Sequence, residues 1–165
     1  MHPTLYIVRH GETDWNAERR YQGQADIPLN DKGRAQARRN GEALSALLPA
    51  IAEVDFVASP LSRTRETMEI LRAALGLDPT RYTLDDRLKE LNYGHWEGKL
   101  QADLPHLDPE GLKRRAVDPY RWRPDGGESY ADLLDRVLPW LETVTRDTLI
   151  SAHGGTMRTL SAHLT

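Results

Sequence analysis

Short apolar runs alternate with stretches of helical spacing along this chain, and that alternation constrains the fold most. Leu5 to Val8 and Val54 to Ala58 have the composition of buried strands, residues 82–84 give a weaker strand pattern, and "TLISA" near the end gives another strand. Stretches of helical spacing separate these runs. Since strands joined through helices pair in parallel, we predict an α/β fold, a three-layer α/β/α sandwich with a mostly parallel central sheet.

Two of the intervening helices have recognisable start sequences. Asn30 in "PLNDKG" can cap a helix that runs to about Leu48. Ser129 and Asp132 in "ESYADLL" resemble a capping box, in which two side chains three positions apart bind each other's backbone amides. Pro139 is expected to kink or shorten this second helix, because proline lacks a backbone N–H and its ring crowds the preceding turn.

A chain of 165 residues fits a single domain spanning 1–165. The stretch 101–127 is rich in Pro, Asp and Arg and has no single period. Its aromatic residues Tyr120 and Trp122 need a surface to cover. We therefore interpret this stretch as a lid or side insertion of the same domain.

The composition argues against several classes of function. The formal net charge of -3 disfavours a broad nucleic-acid-binding face, which needs a strongly basic balance. Without cysteine there is no disulfide, no thiolate nucleophile and no zinc–thiolate site. No apolar run approaches the roughly 18 residues that span a bilayer, and the N-terminus does not resemble a secretory leader. We expect a cytoplasmic protein with neither nucleic-acid nor membrane partners.

Two arginines and two histidines fall at the carboxyl ends of three predicted strands. Arg9 and His10 follow the first strand, Arg63 follows the second, and His153 follows the last. Each one alone is better explained as a hydrogen-bonding or solvated residue. The carboxyl ends of parallel strands, however, meet at the edge where α/β sheets bind ligands. We therefore expect the four side chains to share one site.

This set of side chains suits the transfer of a phosphoryl group. Guanidinium forks and a further cation stabilise the equatorial phosphate oxygens, and Arg9, Arg63 and a protonated His153 can supply them. Neutral imidazole is a competent nucleophile, so His10 can carry the phosphoryl group covalently. Gly11 lets the backbone approach closely, and its carbonyl can orient the ring. This chemistry requires neither a metal ion nor a cofactor.

The leaving alkoxide needs a proton, and a carboxylic acid is the best donor for it. Glu90 in "LKELNYG" is our candidate. A surface pair with Lys89 or Arg87 explains Glu90 equally well. Glu12 and Glu97 are competing acids. The residues alone therefore leave the identity of the acid open.

Six ordered motifs resemble those of a known family over nearly the whole chain. They are "VRHGETDWN", "YQGQADIPLNDKGRAQA", "ASPLSRTRET", "RLKELNYGHWEG", "PDGGES" and "SAHGGTMR". In this order they resemble the histidine phosphatase superfamily, in the branch that includes cofactor-dependent phosphoglycerate mutases and many small phosphatases. The resemblance implies a phosphoglycerate mutase-like fold and an enzyme of that family.

The resemblance also implies roles for individual residues. His10 is similar to the phosphorylated nucleophile of the family and Glu90 to its proton donor. The implied phosphate pocket consists of Arg9, Arg63 and His153, with Asn16, Gly23 and Gly154 as further phosphate or substrate contacts. His2, His106 and His163 match no motif and are expected to be ordinary surface or packing residues.

One departure from the mutases bears on the reaction. The mutases have a longer insertion between the acid and the second histidine, with an arginine pair for the sugar-acid carboxylate, whereas this chain has a short interval containing "PDGGES". The resemblance therefore implies a metal-independent phosphomonoester hydrolase that acts through a phosphohistidine on a small phosphorylated metabolite. A cofactor-dependent phosphoglycerate mutase and an inactive phosphate-binding scaffold are the alternatives. Lys113, Arg114 and Arg115 could grip a second anionic group, although we favour a solvated charged helix for them.

The second departure is at the C-terminus. The chain ends at Thr165, whereas members of this family usually continue through a helix and another strand. Either the protein dispenses with an edge strand, or its C-terminal helix and strand are truncated. An uncovered sheet edge can pair with another copy, so a homodimer is one expected assembly.

Overall fold

A four-stranded parallel sheet forms the middle of the molecule. The computed structural model describes residues 3–165, so the expectation for His2 lies outside the described residues. The strands are β1 Leu5–Arg9, β2 Asp55–Ala58, β3 Thr83–Leu84 and β4 Thr148–Ala152. They lie in the order β1-β4-β2-β3, and every neighbouring pair is parallel. The order requires crossover connections, which the helices provide.

Helices cover both faces of this sheet. Their bounds are α1 Asp14–Ala17, α2 Asp31–Leu47, α3 Ser62–Ala74, α4 Leu104–Leu107, α5 Pro109–Val117, α6 Tyr130–Leu141 and α7 Gly154–Leu164. On β4, Leu149 packs into a core with Met68 and Leu71 of α3. Its neighbour Ile150 faces a second core, which includes Leu133 of α6 and Leu160 of α7. Because successive side chains of a strand point to opposite faces, these two cores confirm the three-layer α/β/α fold.

The predicted helix starts are confirmed. The Asn30 side chain accepts a hydrogen bond from the amide of Gly33 at the start of α2. Ser129 and Asp132 form a reciprocal capping box at the start of α6. The helix α6 continues through Pro139 and ends two residues later at Leu141. Pro139 therefore lies in the last turn, where it removes one backbone hydrogen bond and the helix ends soon after it.

Within residues 101–127, the part from 101 to 117 forms short helices and the part from 118 to 127 is irregular. The short helices include α4 and α5, and Trp122 packs against Trp96 with ring centroids 4.6 Å apart. Tyr120 remains 44% exposed. His106 and His163 are both exposed, as expected for residues outside the motifs. No helix within 3–165 combines the length and apolarity needed to cross a bilayer.

Two glycines bring the loop after β1 against the start of α2. A Cβ atom on Gly11 would collide with the backbone of Gly33, and a Cβ atom on Gly33 would collide with the backbone of Glu12. The Glu12 carbonyl accepts a hydrogen bond of 3.0 Å from the amide of Asn30. This close approach fixes the loop that begins at His10.

Candidate active site

The carboxyl ends of β1 and β4 bring two histidines together. His10 follows β1, His153 follows β4, and their ring centroids lie 5.3 Å apart with an interplanar angle of 61°. The His10 amide donates to the carbonyl of Ala152, the last residue of β4, at 3.0 Å. The two histidines are far apart in the sequence, and the parallel pairing of β1 with β4 makes them neighbours.

A backbone carbonyl fixes the orientation of the His10 ring. Nδ1 of His10 lies 2.7 Å from the carbonyl oxygen of Gly11. Since a carbonyl can only accept, Nδ1 carries the proton and Nε2 keeps its lone pair. The Gly11 amide in turn donates to Oγ1 of Thr67 at 3.1 Å. This arrangement leaves Nε2 of His10 as the ring nitrogen with an available lone pair.

The protein environment favours the neutral form of both imidazoles. Burial and the neighbouring charge of Arg63 lower the pKa of His10 from 6.5 to about 3. Burial and Arg63 also hold the pKa of His153 well below its ordinary value. Desolvation and nearby cations disfavour a further positive charge on either ring, so the protonated His153 predicted beside a phosphate would need the negative charges of that phosphate. A bound phosphate dianion would raise both pKa values.

His153 and Arg63 each present a buried nitrogen without a partner among residues 3–165. Nε2 of His153 is 2.8 Å from Oγ of Ser59, whereas its Nδ1 is buried and unpaired. Arg63 donates through Nη1 to the Ala25 carbonyl and through Nη2 to the Gly23 carbonyl, both at 2.7 Å, and its Nε is unpaired. Buried polar atoms are seldom left unpaired, so these nitrogens fit a site that an acceptor-rich anion completes.

Glu90 lies in the same site and is held by backbone amides. Its Oε1 accepts from the amide of Leu91 at 2.8 Å. The amide of Gly155, at the start of α7, donates to both carboxylate oxygens at 3.0 and 3.1 Å. The carboxylate is buried and therefore has a fixed place near His10.

The two competing acids have other partners. Glu12 accepts from Nζ of Lys32 at 2.9 Å and from Nδ2 of Asn30 at 3.2 Å, and these hydrogen bonds lower its pKa. Glu97 accepts from the amides of Gln24 and Tyr93 at 2.8 and 3.2 Å. Neither acid lines the cavity at His10.

The surface-pair interpretation of Glu90 is also disfavoured. Lys89 pairs with Asp86 at 3.2 Å, and Arg87 pairs with Asp85 at 2.6 Å. The two bases that could neutralise Glu90 on the surface are therefore bound to other carboxylates.

A cavity of about 270 Å³ unites these residues. Of the residues predicted for the site, those that line it are Arg9, His10, Asn16, Gly23, Arg63, Glu90 and Gly154. His153 is buried beside this cavity, against the ring of His10. Asn16 also takes part in a capping box with Thr13 at the start of α1, a helix start that the sequence reasoning missed.

The sequence reasoning missed several further residues of the cavity wall. They are Arg20, Tyr21, Gln22, Tyr93, Gln101, Gly155 and Arg158. Arg158 could have been found, because it follows Gly154 by four positions and therefore shares its helix face. Apart from Gly155 in α7, the others lie in loops or short helical turns, where no period indicates a facing direction.

Comparison with known proteins identifies the family. The sequence model described as "Histidine phosphatase superfamily (branch 1)" matches residues 5–165. This chain belongs to that superfamily. The family assignment from the six motifs is thereby confirmed, and with it the assignment to a family of enzymes.

Curated relatives of this histidine phosphatase carry a mutase name. Over 134 residues, 81% of this chain, it is 45% identical to "Probable phosphoglycerate mutase GpmB" from Salmonella paratyphi C. The matched stretch is 59% of that relative's length, so the chain spans less than two thirds of the curated relatives it matches.

Solved structures share the fold over most of this histidine phosphatase. A mycobacterial glucosyl-3-phosphoglycerate phosphatase in complex with VO3 is 33% identical, with a TM-score of 0.83, and the match covers 97% of this chain and 80% of that chain. A Thermus thermophilus protein, TTHB049, is 34% identical, with a TM-score of 0.76 and coverage of 94% and 81%.

The neutral histidines of this histidine phosphatase predict a pH-dependent stability. Between about pH 6.5 and 3 the unfolded chain carries a proton on His10 that the native state does not bind. The free energy of unfolding should therefore fall as the pH falls through this range, by about 1.4 kcal/mol per pH unit from His10. Urea unfolding at pH 7 and pH 5 measures the change.

The variant His10→Asn serves as the reference for this experiment. It should lose about 2 kcal/mol less stability than the wild type between pH 7 and pH 5, because the carboxylates contribute equally to both proteins. An identical loss in the two proteins would contradict a neutral, buried His10.

Proposed function

We propose that this protein is a phosphomonoester hydrolase that needs no metal ion and passes the phosphoryl group of a small metabolite through His10. The observation that carries the proposal is the pair of imidazoles 5.3 Å apart, beside the unpaired nitrogens of His153 and Arg63. Arg9 lines the same cavity and adds a guanidinium. A volume of about 270 Å³ favours a small substrate, since it lies at the lower end for ligand pockets.

In the first step Nε2 of His10 attacks phosphorus and the bond between phosphorus and the ester oxygen breaks. The carbonyl of Gly11 holds the ring with Nδ1 protonated, so the positive charge of the phosphohistidine is stabilised by that hydrogen bond. Arg9 and Arg63 stabilise the phosphate oxygens. Protonated Glu90 gives its proton to the leaving oxygen, and the alcohol departs.

In the second step water attacks the phosphohistidine. The carboxylate of Glu90 takes a proton from that water, phosphorus bonds to the water oxygen, and the bond to Nε2 breaks. Inorganic phosphate leaves, and both His10 and Glu90 return to their starting states. The same carboxyl group thus acts as acid and then as base.

A cofactor-dependent phosphoglycerate mutase is the second candidate, and the position of Arg115 favours it. Arg115 lines the cavity and donates to the hydroxyl of Tyr21 at 2.9 Å. Its guanidinium also lies 5.5 Å from the ring of Trp96. The solvated role is therefore wrong for Arg115, although Lys113 does pair on the surface with Glu110. A cation in this place could hold the carboxylate of a sugar acid.

Two rates measured on wild-type protein separate these candidates. Phosphate release and isomerisation are followed with 3-phosphoglycerate, with and without added bisphosphoglycerate as phosphoryl donor. We expect phosphate release to outrun isomerisation under both conditions. Isomerisation that outruns release would establish the mutase and reject the hydrolase.

A further inference from the structure

One arginine of α6 binds the backbone of the turn that carries Glu90. Nη1 of Arg136 donates to the carbonyls of Arg87 and Lys89 at 2.7 and 3.1 Å. Nη2 donates to the carbonyl of Glu90 itself at 3.2 Å. A single guanidinium therefore holds three carbonyls within four consecutive residues.

The same guanidinium forms a bidentate pair with Glu128. Nε of Arg136 donates to Oε1 at 2.9 Å, and Nη2 donates to Oε2 at 2.8 Å. Both side chains are largely buried, with about a fifth of each exposed. Glu128 belongs to the "PDGGES" segment, and the proposed reaction uses neither of the two acidic residues of this segment.

Glu128 binds the far end of the same turn. The Asn92 amide donates to Oε2 of Glu128 at 3.0 Å, and the Glu128 amide donates to the Asn92 carbonyl at 2.8 Å. Nε2 of Gln24 also donates to the carbonyl of Glu90 at 3.1 Å. The turn from 87 to 92 is thus held at both ends and at Glu90 itself.

This turn requires such support because it is irregular. A short 3-10 helix ends at Leu88 and the next begins at Gly94, so Glu90 lies in neither a helix nor a strand. Outside regular structure, side chains must satisfy and fix the backbone groups. A displacement of about 1 Å at a catalytic group can cost about a hundredfold in rate.

We propose that Glu128 and Arg136 form a positioning pair that sets the carboxyl group of Glu90 against the leaving oxygen. The proposal rests on the role of Glu90 in the proposed function. The hydrogen bonds of the Arg136 side chain go to Glu128 and to main-chain oxygens of the turn, so they act on the place of Glu90. The charge of Arg136 also helps to lower the pKa of His153, and Arg136→Lys keeps that charge while it removes the hydrogen bonds. Lysine cannot replace it, because one ammonium lacks the planar fork that binds Glu128 and the carbonyls together.

The test compares Arg136→Lys with a matched control. The control is Arg123→Lys, since Arg123 forms an exposed pair with Asp132 at 3.6 Å and binds no part of the Glu90 turn. Both variants are assayed by kcat/KM with an alkyl phosphate and with nitrophenyl phosphate, whose leaving group needs little protonation. We expect Arg136→Lys to lose about tenfold or more with the alkyl phosphate and less than about threefold with nitrophenyl phosphate. Arg123→Lys should match the wild type on both.

Two further variants keep the proposal open to refutation. Glu128→Gln removes the partner's charge with little change of shape and should show the same selective loss, even if Arg136→Lys folds poorly. In the Glu90→Gln background, Arg136→Lys should add no further selective loss, because the carboxyl group that Arg136 positions is already absent.

The outcomes separate this proposal from the proposed function. Equal losses on both substrates, or losses that add fully to those of Glu90→Gln, would overturn the positioning role of the pair. If Glu90→Gln lost activity selectively with the alkyl phosphate but Arg136→Lys and Glu128→Gln did not, the positioning role would also be overturned. The assignment of Glu90 as the acid would then remain intact. A Glu90→Gln variant without any selectivity would overturn the acid assignment, and the positioning role with it.

Discussion

The variant His10→Ala is expected to lose phosphate release by about a thousandfold or more, because it removes the atom that bonds to phosphorus. Wild-type protein quenched during turnover of a labelled substrate should carry a phosphoryl group on His10. Phosphohistidine is labile in acid, so the label should survive an alkaline quench and disappear after acid treatment. Mass spectrometry of the alkaline-quenched protein locates the adduct.

The control for this experiment is His106→Ala, which removes an exposed histidine of α4 that does not line the cavity. It should keep full activity and the same adduct. Activity that persists in His10→Ala would require another nucleophile. A wild-type protein that binds phosphate but shows no turnover in the presence of chelator would support the phosphate-binding scaffold instead.

The parts of the site that could be predicted from sequence are those that local chemistry determines. His10 and His153 each follow an apolar run, and the ends of parallel strands meet at one edge of the sheet. The caps at Asn30 and Ser129 depend on residues only three positions away. Such features need no knowledge of distant packing.

The sequence does not predict where a side chain points when contacts with residues distant along the chain decide its orientation. Arg115 belongs to a charged helix that looks solvated in sequence, and it faces the cavity because Tyr21 and Trp96 pack beneath it. The buried, amide-bound place of the Glu90 carboxylate likewise depends on the amide of Gly155, which follows 65 positions later. The contact between Glu128 and Arg136 also depends on tertiary packing, which the sequence does not indicate.

The ionisation state of His153 illustrates a second kind of limit. Its motif indicates a phosphate ligand but does not show how deeply the ring is buried. Burial and the charge of Arg63 lower the pKa of His153 and favour the neutral form, whereas the role predicted from the sequence needs the protonated form beside a phosphate. The burial of the His153 ring results from the packing of the helices against the sheet, and this burial favours the uncharged ring.

Replacing Glu90 with Gln is expected to separate substrates by their leaving groups. Glutamine fills the same space but cannot donate a proton to an alkoxide, and general acids contribute about a hundredfold or more. For an alkyl phosphate we therefore expect kcat/KM to fall by about a hundredfold or more. For nitrophenyl phosphate kcat/KM should change little, because its leaving group departs without a proton.

The comparison uses kcat/KM because that constant reports the steps up to formation of the phosphohistidine. The turnover number kcat should fall for both substrates, since Glu90 also activates the water that cleaves a common intermediate. Glu12→Gln is the matched control, because Glu12 is bound to Lys32 and does not line the cavity. If kcat/KM fell equally for the two leaving groups, Glu90 would not be the general acid. A selective loss in kcat/KM together with a common loss in kcat would identify one carboxyl group that serves both steps.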